Sequence, residues 1–290
     1  MSQSLLYSDA PLARATLLVT PTAVAHVRGD CMKSVHGSFL ANMDADLRAA
    51  LHEPGLTLKP FTVSTLVPTF DPDRFERQMT PGQTYAWRVT SLVPALSQVI
   101  HGMTVAATVE VDRQDFRVLH ADKPSEPTTT FQATSYVCLL NDALPAERIT
   151  LRFVSPTAFK SGDVNVPFPL PDSVFGGYLD AWRAYADVEL GIDAGMFRQY
   201  CRDRVVAESH QLRTRSAWFD HPIPGGGNRA RRPLRFAGFV GVCTYRILDR
   251  DDDHRRLLNA LAAFAEYCGT GSKKSQGAGQ TRFVLQSLRS

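Results

Sequence analysis

Cysteine is scarce and scattered in this sequence. The five cysteines are odd in number and show no Cys-x-x-Cys spacing. This pattern argues against a disulfide framework and against a zinc site, and it fits a reducing compartment. No basic segment followed by an apolar one stands at the N-terminus, so we expect a cytoplasmic protein without a signal peptide.

Long apolar runs and strong charge of one sign are missing as well. Residues 89–109 carry no formal charge, but they include proline, glutamine, histidine and glycine, which a lipid-facing helix would have to satisfy internally. We therefore expect no membrane span. The net charge of the 290 residues is only +3, so the chain can bind a polyanion only where its basic residues are concentrated.

The segments that are present alternate between strand-like and helix-like patterns. With 44% hydrophobic and 21% charged residues, the chain falls in the ordinary globular class. In the first half, strands at 15–20, 61–67, 85–92 and 105–111 and helices at 35–52 and 94–100 give the order βαββαβ, which is typical of a ferredoxin-like unit. The second half offers strands near 131–140, 149–154 and 234–247, helices at 171–186 and 253–268, and a last strand at 281–288.

A segment rich in proline, serine and threonine at 121–130 is the best candidate for a linker. Since 290 residues suit one large domain or two small ones, we predict an α+β protein of two tandem ferredoxin-like (RRM-like) domains. The predicted bounds are residues 1–122 and 123–290.

The most specific segment is rich in glycine and lies near the C-terminus. We call it the glycine segment, and its notable residues are Gly269, Gly271, Lys273, Lys274, Ser275, Gly277 and Gly279. Glycine permits positive φ and close backbone approach, and lysine and serine can donate to phosphate. Neither the P-loop spacing nor the dinucleotide-binding spacing fits. The residues alone leave two interpretations open, a phosphate-binding loop or a flexible turn between a helix and a strand.

The pattern Gly-x-Gly-x-Lys-x-Ser-x-Gly-x-Gly, after a helix that contains Phe264, resembles the C-terminal signature of the CRISPR repeat endoribonucleases of the RAMP superfamily. Segments 51–53, 59–64, 155–157 and 236–241 are also similar to that family. The resemblance implies two ferredoxin-like domains that face a basic cleft. It implies cleavage of precursor CRISPR RNA within its repeats, as part of antiviral defence, without metal or cofactor. The products would carry a 2′,3′-cyclic phosphate and a 5′-hydroxyl, and the enzyme would be a monomer or homodimer.

Metal-free RNA cleavage needs a base for the 2′-hydroxyl, an acid for the leaving oxygen and a cation near the developing charge. His52 ends a helix just before a Pro-Gly break, where many relatives carry their catalytic histidine. The alternative is a histidine that only complements the helix dipole. Lys59 precedes a strand and matches a catalytic lysine of archaeal relatives. Its alternative is a solvated lysine at the start of a strand.

A third candidate, His36, follows from a departure from the family. Archaeal relatives carry a tyrosine on the first helix, whereas this sequence has no tyrosine between Tyr7 and Tyr85. His36 is the candidate replacement, although its helical spacing also allows a packed core histidine. An unbroken helix would separate His36 from His52 by about 24 Å, so the two can act on one phosphate only if the chain bends near 42–44.

Arginines accumulate between positions 202 and 235, where eight of them accompany three acidic residues. Arginine forms bidentate contacts with phosphate, and A-form RNA stems are recognised by shape and phosphates. The alternative is a solvated loop. We expect RNA contacts from the glycine segment and from Arg202, Arg204, Arg213, Arg215, Arg229, Arg231 and Arg232.

Two rival functions stay open at this stage. One is a non-catalytic RNA-binding RAMP subunit of a CRISPR effector complex. The other is a nucleotide-binding enzyme that uses the glycine segment together with Mg²⁺.

Overall fold

Two antiparallel sheets organise the chain. The computed structural model describes residues 10–28, 32–53, 56–67, 76–121, 126–222 and 231–284. The first sheet has the strand order β3-β5-β1-β7-β6, and β8 also pairs with β1. Its strands are β1 (Leu12–Pro21), β3 (Phe61–Val63), β5 (Tyr85–Ser91), β6 (Thr108–Val111), β7 (Gln114–Val118) and β8 (Thr130–Thr134). A separate small pair consists of β2 (Ala25–Arg28) and β4 (Glu76–Met79).

The helices of the first half are α1 (Met32–Ala41), α2 (Ala45–Ala50) and α3 (Pro94–Val105). Leu17 and Val19, two residues apart on β1, are fully buried and share one face of the sheet. Phe39 of α1 and Phe61 of β3 pack in the same core, with ring centroids 4.8 Å apart. The apolar faces of strand and helix thus meet in one core.

The second sheet has the order β12-β13-β9-β14. Its strands are β9 (Arg148–Thr157), β12 (Val205–Pro222), β13 (Arg231–Ile247) and β14 (Thr281–Val284), and a hairpin of β10 (Phe159–Ser161) and β11 (Val164–Val166) stands beside it. The helices are α4 (Tyr136–Asn141), α5 (Pro171–Tyr185), α6 (Ala194–Arg204) and α7 (Asp252–Cys268). A short 3₁₀ turn covers Lys274–Gln276.

Both sheets follow the same path. In the first half β1, α1, β3, β5, α3 and β7 give the order βαββαβ, and in the second half β9, α5, β12, β13, α7 and β14 repeat it. In each sheet the first and third of these strands lie in the centre, flanked by the second and the fourth. The predicted α+β class with tandem ferredoxin-like folds is confirmed. The boundary at 122–123 lies outside the described residues and stays a prediction; β8 of the predicted second domain pairs with β1.

Buried polar contacts join the two halves. Arg88 of β5 is 7% exposed, and its guanidinium donates to the carbonyl oxygens of Glu266 at 2.7 Å and Thr281 at 3.0 Å. Burial lowers the pKa of Arg88 to about 9. Nε2 of Gln280 donates to Oγ1 of Thr62 at 3.1 Å. These contacts place α7 and the glycine segment against β3 and β5.

The structure departs from the sequence-based expectations at several elements. The strand expected at 131–140 ends at Thr134, because Ser135 accepts a hydrogen bond from the Cys138 amide and begins α4. Helix α3 runs to Val105, and the strand expected at 105–111 begins at Thr108 and continues through a hairpin into β7. Helix α6, which Asp193 caps, was not predicted. Among the described residues, no helix is both long enough and apolar enough to cross a membrane.

Candidate active site

A sharp turn separates the helix of His36 from the short helix that precedes His52. Helix α1 ends at Ala41, and Asp44 begins α2 by accepting a hydrogen bond of 2.7 Å from the amide of Leu47. Arg48 fixes the turn, since its guanidinium donates to the carbonyl oxygens of Leu40 at 3.2 Å and Met43 at 2.9 Å. The chain therefore bends at 42–44, which is the condition that the sequence set for His36 and His52 to cooperate.

The His36 ring lies between the two halves of the chain. Its Nδ1 is 2.7 Å from the carbonyl oxygen of Ser275 in the glycine segment. A carbonyl can only accept, so Nδ1 carries the proton and Nε2 of the neutral ring is left as an acceptor. The ring also stacks on Phe61, with centroids 5.6 Å apart and planes at 22°. His36 is half-buried, so it is oriented by its neighbours without being sealed in the core.

The surroundings of His36 favour its neutral form. Burial lowers the pKa of His36 below its ordinary value of 6.5, while the hydrogen bond to Ser275 opposes this shift. The positive charges of His52 and Lys59 lower that pKa further. The three candidate residues therefore lie within electrostatic reach of one another.

His52 and Lys59 are held next to each other. His52 is exposed, and its Nδ1 lies 2.7 Å from the carbonyl oxygen of Arg48. Lys59 is half-buried, and its ammonium donates to the carbonyl oxygen of Leu51, the residue that precedes His52. A histidine and a lysine thus stand together at the end of α2.

The glycine segment is a fixed loop. Its four glycines have positive φ, of 63°, 76°, 103° and 67° in chain order. A Cβ on Gly279 would lie 2.1 Å from the carbonyl oxygen of Thr270, and one on Gly271 would lie 2.5 Å from that of Ala158. The glycines are needed because backbone packs directly against backbone.

Hydrogen bonds tie this loop to the end of β9. The Ser272 amide donates to the carbonyl oxygen of Ala158 at 2.9 Å, and the Gly279 amide donates to that of Pro156 at 3.1 Å. This anchoring disagrees with the alternative of a flexible turn. It also gives a structural role to the Ser155-Pro156-Thr157 segment, which the sequence showed only as a similarity.

A cavity of 490 Å³ opens on the glycine segment. One part of its wall consists of Lys59, Lys273, Lys274 and Ser275. Lys160 of β10 and residues of α5 and α6 also line the cavity. Ser275, whose carbonyl accepts the hydrogen bond of His36, lines the cavity, and so does Phe61, on which the His36 ring stacks.

The predicted RNA-binding arginines are spread over three elements. On α6, Arg202 donates to Asp172 at 3.1 Å, and Arg204 is exposed at the end of the helix. On β12, Arg213 and Arg215 are two residues apart and share one face of the strand. This strand contacts α1, which carries His36. The backbones of Arg231 and Arg232 lie in β13 opposite Pro222 and His221, and Arg229 lies outside the described residues.

Sequence reasoning missed several residues of the cavity, namely Lys160, Asp180 and Arg198. They belong to elements whose mutual position depends on the fold. One signal was available, because Gly176 and Gly177 stand in the middle of a helical pattern where glycine is unfavourable.

Comparisons with known proteins bear on the family and on the fold. Residues 151–281 match the family model of the CRISPR-associated endoribonuclease Cas6. The resemblance that the sequence motifs indicated is thereby confirmed. A search of the curated proteins found no significant match.

Solved structures share the fold over nearly the whole chain. A Cas6 of Thermus thermophilus matches as a product complex with a TM-score of 0.70 at 23% identity, covering 94% of this chain and 100% of that one. The same protein also matches with a TM-score of 0.64 at 20% identity, covering 95% and 99%. A Cas6-related protein from Pyrococcus furiosus matches with a TM-score of 0.54 at 10% identity, covering 95% and 100%.

Proposed function

We propose that the chain is an endoribonuclease that cuts precursor CRISPR RNA within its repeats and needs no metal ion. The observation that carries this proposal is the hydrogen bond of His36 to Ser275 of the glycine segment, on a ring whose pKa the charges of His52 and Lys59 lower. The match of residues 151–281 to the Cas6 family supports it.

In the proposed reaction His36 is the general base. Its neutral ring exposes Nε2 as an acceptor, because Nδ1 donates to Ser275. Nε2 takes the proton of the 2′-hydroxyl, and the 2′-oxygen forms a bond to the adjacent phosphorus. The product on this side is a 2′,3′-cyclic phosphate.

His52 acts on the leaving group, and Lys59 acts on the charge that develops on the phosphate. As the bond from phosphorus to the 5′-oxygen breaks, protonated His52 donates a proton to that oxygen and yields the 5′-hydroxyl. The ammonium of Lys59 offsets the negative charge that develops on the phosphate oxygens. Base, acid and cation are then all side chains of this chain, which is the physical basis for a reaction without metal.

The RNA-binding residues surround this centre. The lysines of the glycine segment line the cavity next to His36, and Arg213 and Arg215 lie on a strand that contacts helix α1. We propose that they hold the phosphates of the repeat while its cut site lies between His36 and His52.

Incubation with the cognate repeat RNA in excess EDTA tests the proposal. We expect cutting, with a 2′,3′-cyclic phosphate and a 5′-hydroxyl at the new ends by mass spectrometry. His52→Ala should bind the RNA and lose the cut. Binding without any cut by the unaltered protein would instead indicate a non-catalytic RNA-binding subunit, and a requirement for Mg²⁺ would indicate a nucleotide-binding enzyme.

A further inference from the structure

Helix α5 contains a glycine whose presence the described chain does not explain. Glycine within a helix costs about 1 kcal/mol relative to alanine. At Gly176 a Cβ would lie 2.8 Å from Nε of Arg198, so the glycine lets that side chain pack directly against the helix. At Gly177 a Cβ would meet no described atom within 4 Å, and this residue lines the 490 Å³ cavity. The missing side chain leaves room for a ligand against the helix backbone.

The cavity wall around Gly177 carries one negative and one positive side chain that form an ion pair. Ser173, Gly177 and Asp180 follow one another at helical spacing and face the cavity. Arg198 of α6 reaches across α5, and its Nη2 donates to Oδ2 of Asp180 and to the carbonyl oxygen of Gly176 at 3.3 Å. The side chains of Arg198 and Asp180 remain 32% and 42% exposed. A carboxylate and a guanidinium are thus held side by side and open to the cavity.

Other parts of the cavity wall have a different chemistry. Four lysines, at positions 59, 160, 273 and 274, line the cavity, and Asp180 is the one acidic residue among the described lining residues. The lysine side suits a phosphate. The carboxylate would repel a phosphate, and beside Arg198 it has room to accept further N–H donors. The fitting ligand therefore combines a phosphate with N–H groups, as a nucleotide does.

We propose that this cavity binds an unpaired guanine nucleotide of the RNA, with its base read by Asp180 and Arg198. The Watson–Crick edge of guanine offers two adjacent N–H donors, which a carboxylate can accept, and a carbonyl oxygen, to which a guanidinium can donate. Adenine, cytosine and uracil do not present two adjacent donors beside an acceptor. The base must be unpaired, because pairing would occupy this edge. A volume of 490 Å³ suits one nucleotide.

This site deepens the proposed function and rests on it. Ser275 and Lys59 belong both to the cavity and to the surroundings of His36. The guanine would therefore lie next to the cut phosphate and fix the position of the cut along the RNA.

The test measures equilibrium binding of repeat RNAs in EDTA. Where the protein cuts the RNA, 2′-deoxyribose at the mapped cut keeps the RNA intact. Each unpaired guanine is replaced in turn by inosine, which lacks the 2-amino group, and by adenine. We expect one position where adenine weakens binding about 10- to 100-fold and inosine less, as for the loss of a bidentate base contact. In Asp180→Asn this preference for guanine, that is the ratio between the affinities for the guanine RNA and the adenine RNA, should fall to near one. Asp203→Asn is the matched control, since its carboxylate binds Gln199 on α6 outside the cavity lining.

A second variant tests the same site without changing the Asp180–Arg198 ion pair. Gly177→Leu should fold, because the space before it is open, and its side chain should fill the site and abolish the same preference. The site would be overturned if no unpaired guanine mattered to the unaltered protein, or if both variants kept the preference. Because binding is measured apart from cutting, a protein that shows the preference but never cuts RNA overturns only the proposed function. A protein that cuts the RNA but shows no preference for guanine overturns only the proposed guanine site.

Discussion

Nδ1 of His36 donates to the carbonyl oxygen of Ser275 across 2.7 Å, although the two residues are 239 positions apart in the chain. One residue belongs to the first helix and the other to the loop before the last strand. The bond fixes the tautomer of the imidazole, so that Nε2 is the free acceptor. The orientation of the proposed base therefore depends on the docking of the two halves.

Replacement of His36 by alanine should remove general base catalysis. We expect single-turnover cleavage of repeat RNA to slow by about 10²- to 10⁴-fold, while RNA affinity changes only a few-fold. His254→Ala is the matched control, because that histidine is exposed and binds Asp249 at 2.9 Å. Equal rates for His36→Ala and the unaltered protein would remove His36 from the mechanism.

The charge of Lys59 should be visible in the pH dependence of cleavage. Lys59 lowers the pKa of His36, and burial lowers it below 6.5. The acidic limb of kcat/KM for the unaltered protein should therefore lie below pH 6.5. In Lys59→Met the pKa of the base rises, so the limb should move to higher pH, and the plateau should fall because charge stabilisation is lost. If the plateau of kcat/KM fell in Lys59→Met but the acidic limb did not move, Lys59 would not act on the pKa of His36.

The sequence predicted those features that depend on local physics. Periodicity located most strands and helices. Helix length showed that His36 and His52 could cooperate only across a bend. The glycine pattern indicated close backbone approach, which Gly271 and Gly279 show.

The missed features depend on contacts between distant segments. Ser275 orients His36 through its carbonyl, which any residue would supply, so the sequence carries no mark of that role. Arg198 enters the cavity because α6 packs on α5 at Gly176, and the sequence shows neither the helix contact nor its direction. A strand was expected through residue 140 because apolar residues there fit a strand or a short helix equally well.

The glycine segment offers a test of its rigidity. Gly279 has φ of 67°, and a Cβ there would lie 2.1 Å from the carbonyl oxygen of Thr270. Gly279→Ala should lower the free energy of unfolding by at least about 2 kcal/mol, through left-handed strain and displaced backbone, and should slow cleavage. In Gly102→Ala of α3, where a Cβ would meet no described atom within 4 Å, stability should rise by up to about 1 kcal/mol. Urea unfolding measures both. If Gly279→Ala changed neither the stability nor the rate of cleavage, the glycine segment would be able to relax around the added methyl group and would not be rigid.

The arginines of β12 should act through the phosphates. Arg213 and Arg215 share one face of the strand that contacts α1, so the double change Arg213→Ala with Arg215→Ala should weaken RNA binding. Because each phosphate contact releases counterions, the slope of log affinity against log salt should become shallower by about one for each lost contact.

The control for this prediction is an arginine whose charge is already compensated. Arg148 holds Glu208 through two hydrogen bonds, of 2.7 and 3.0 Å, so Arg148→Ala should leave the salt slope nearly unchanged. A purely long-range effect of net charge would make one arginine as effective as another, and the slopes would then scale with the number of charges removed. A slope change confined to Arg213 and Arg215 requires direct contact with the RNA backbone. It would place the repeat along β12, on the strand that reaches the helix of His36.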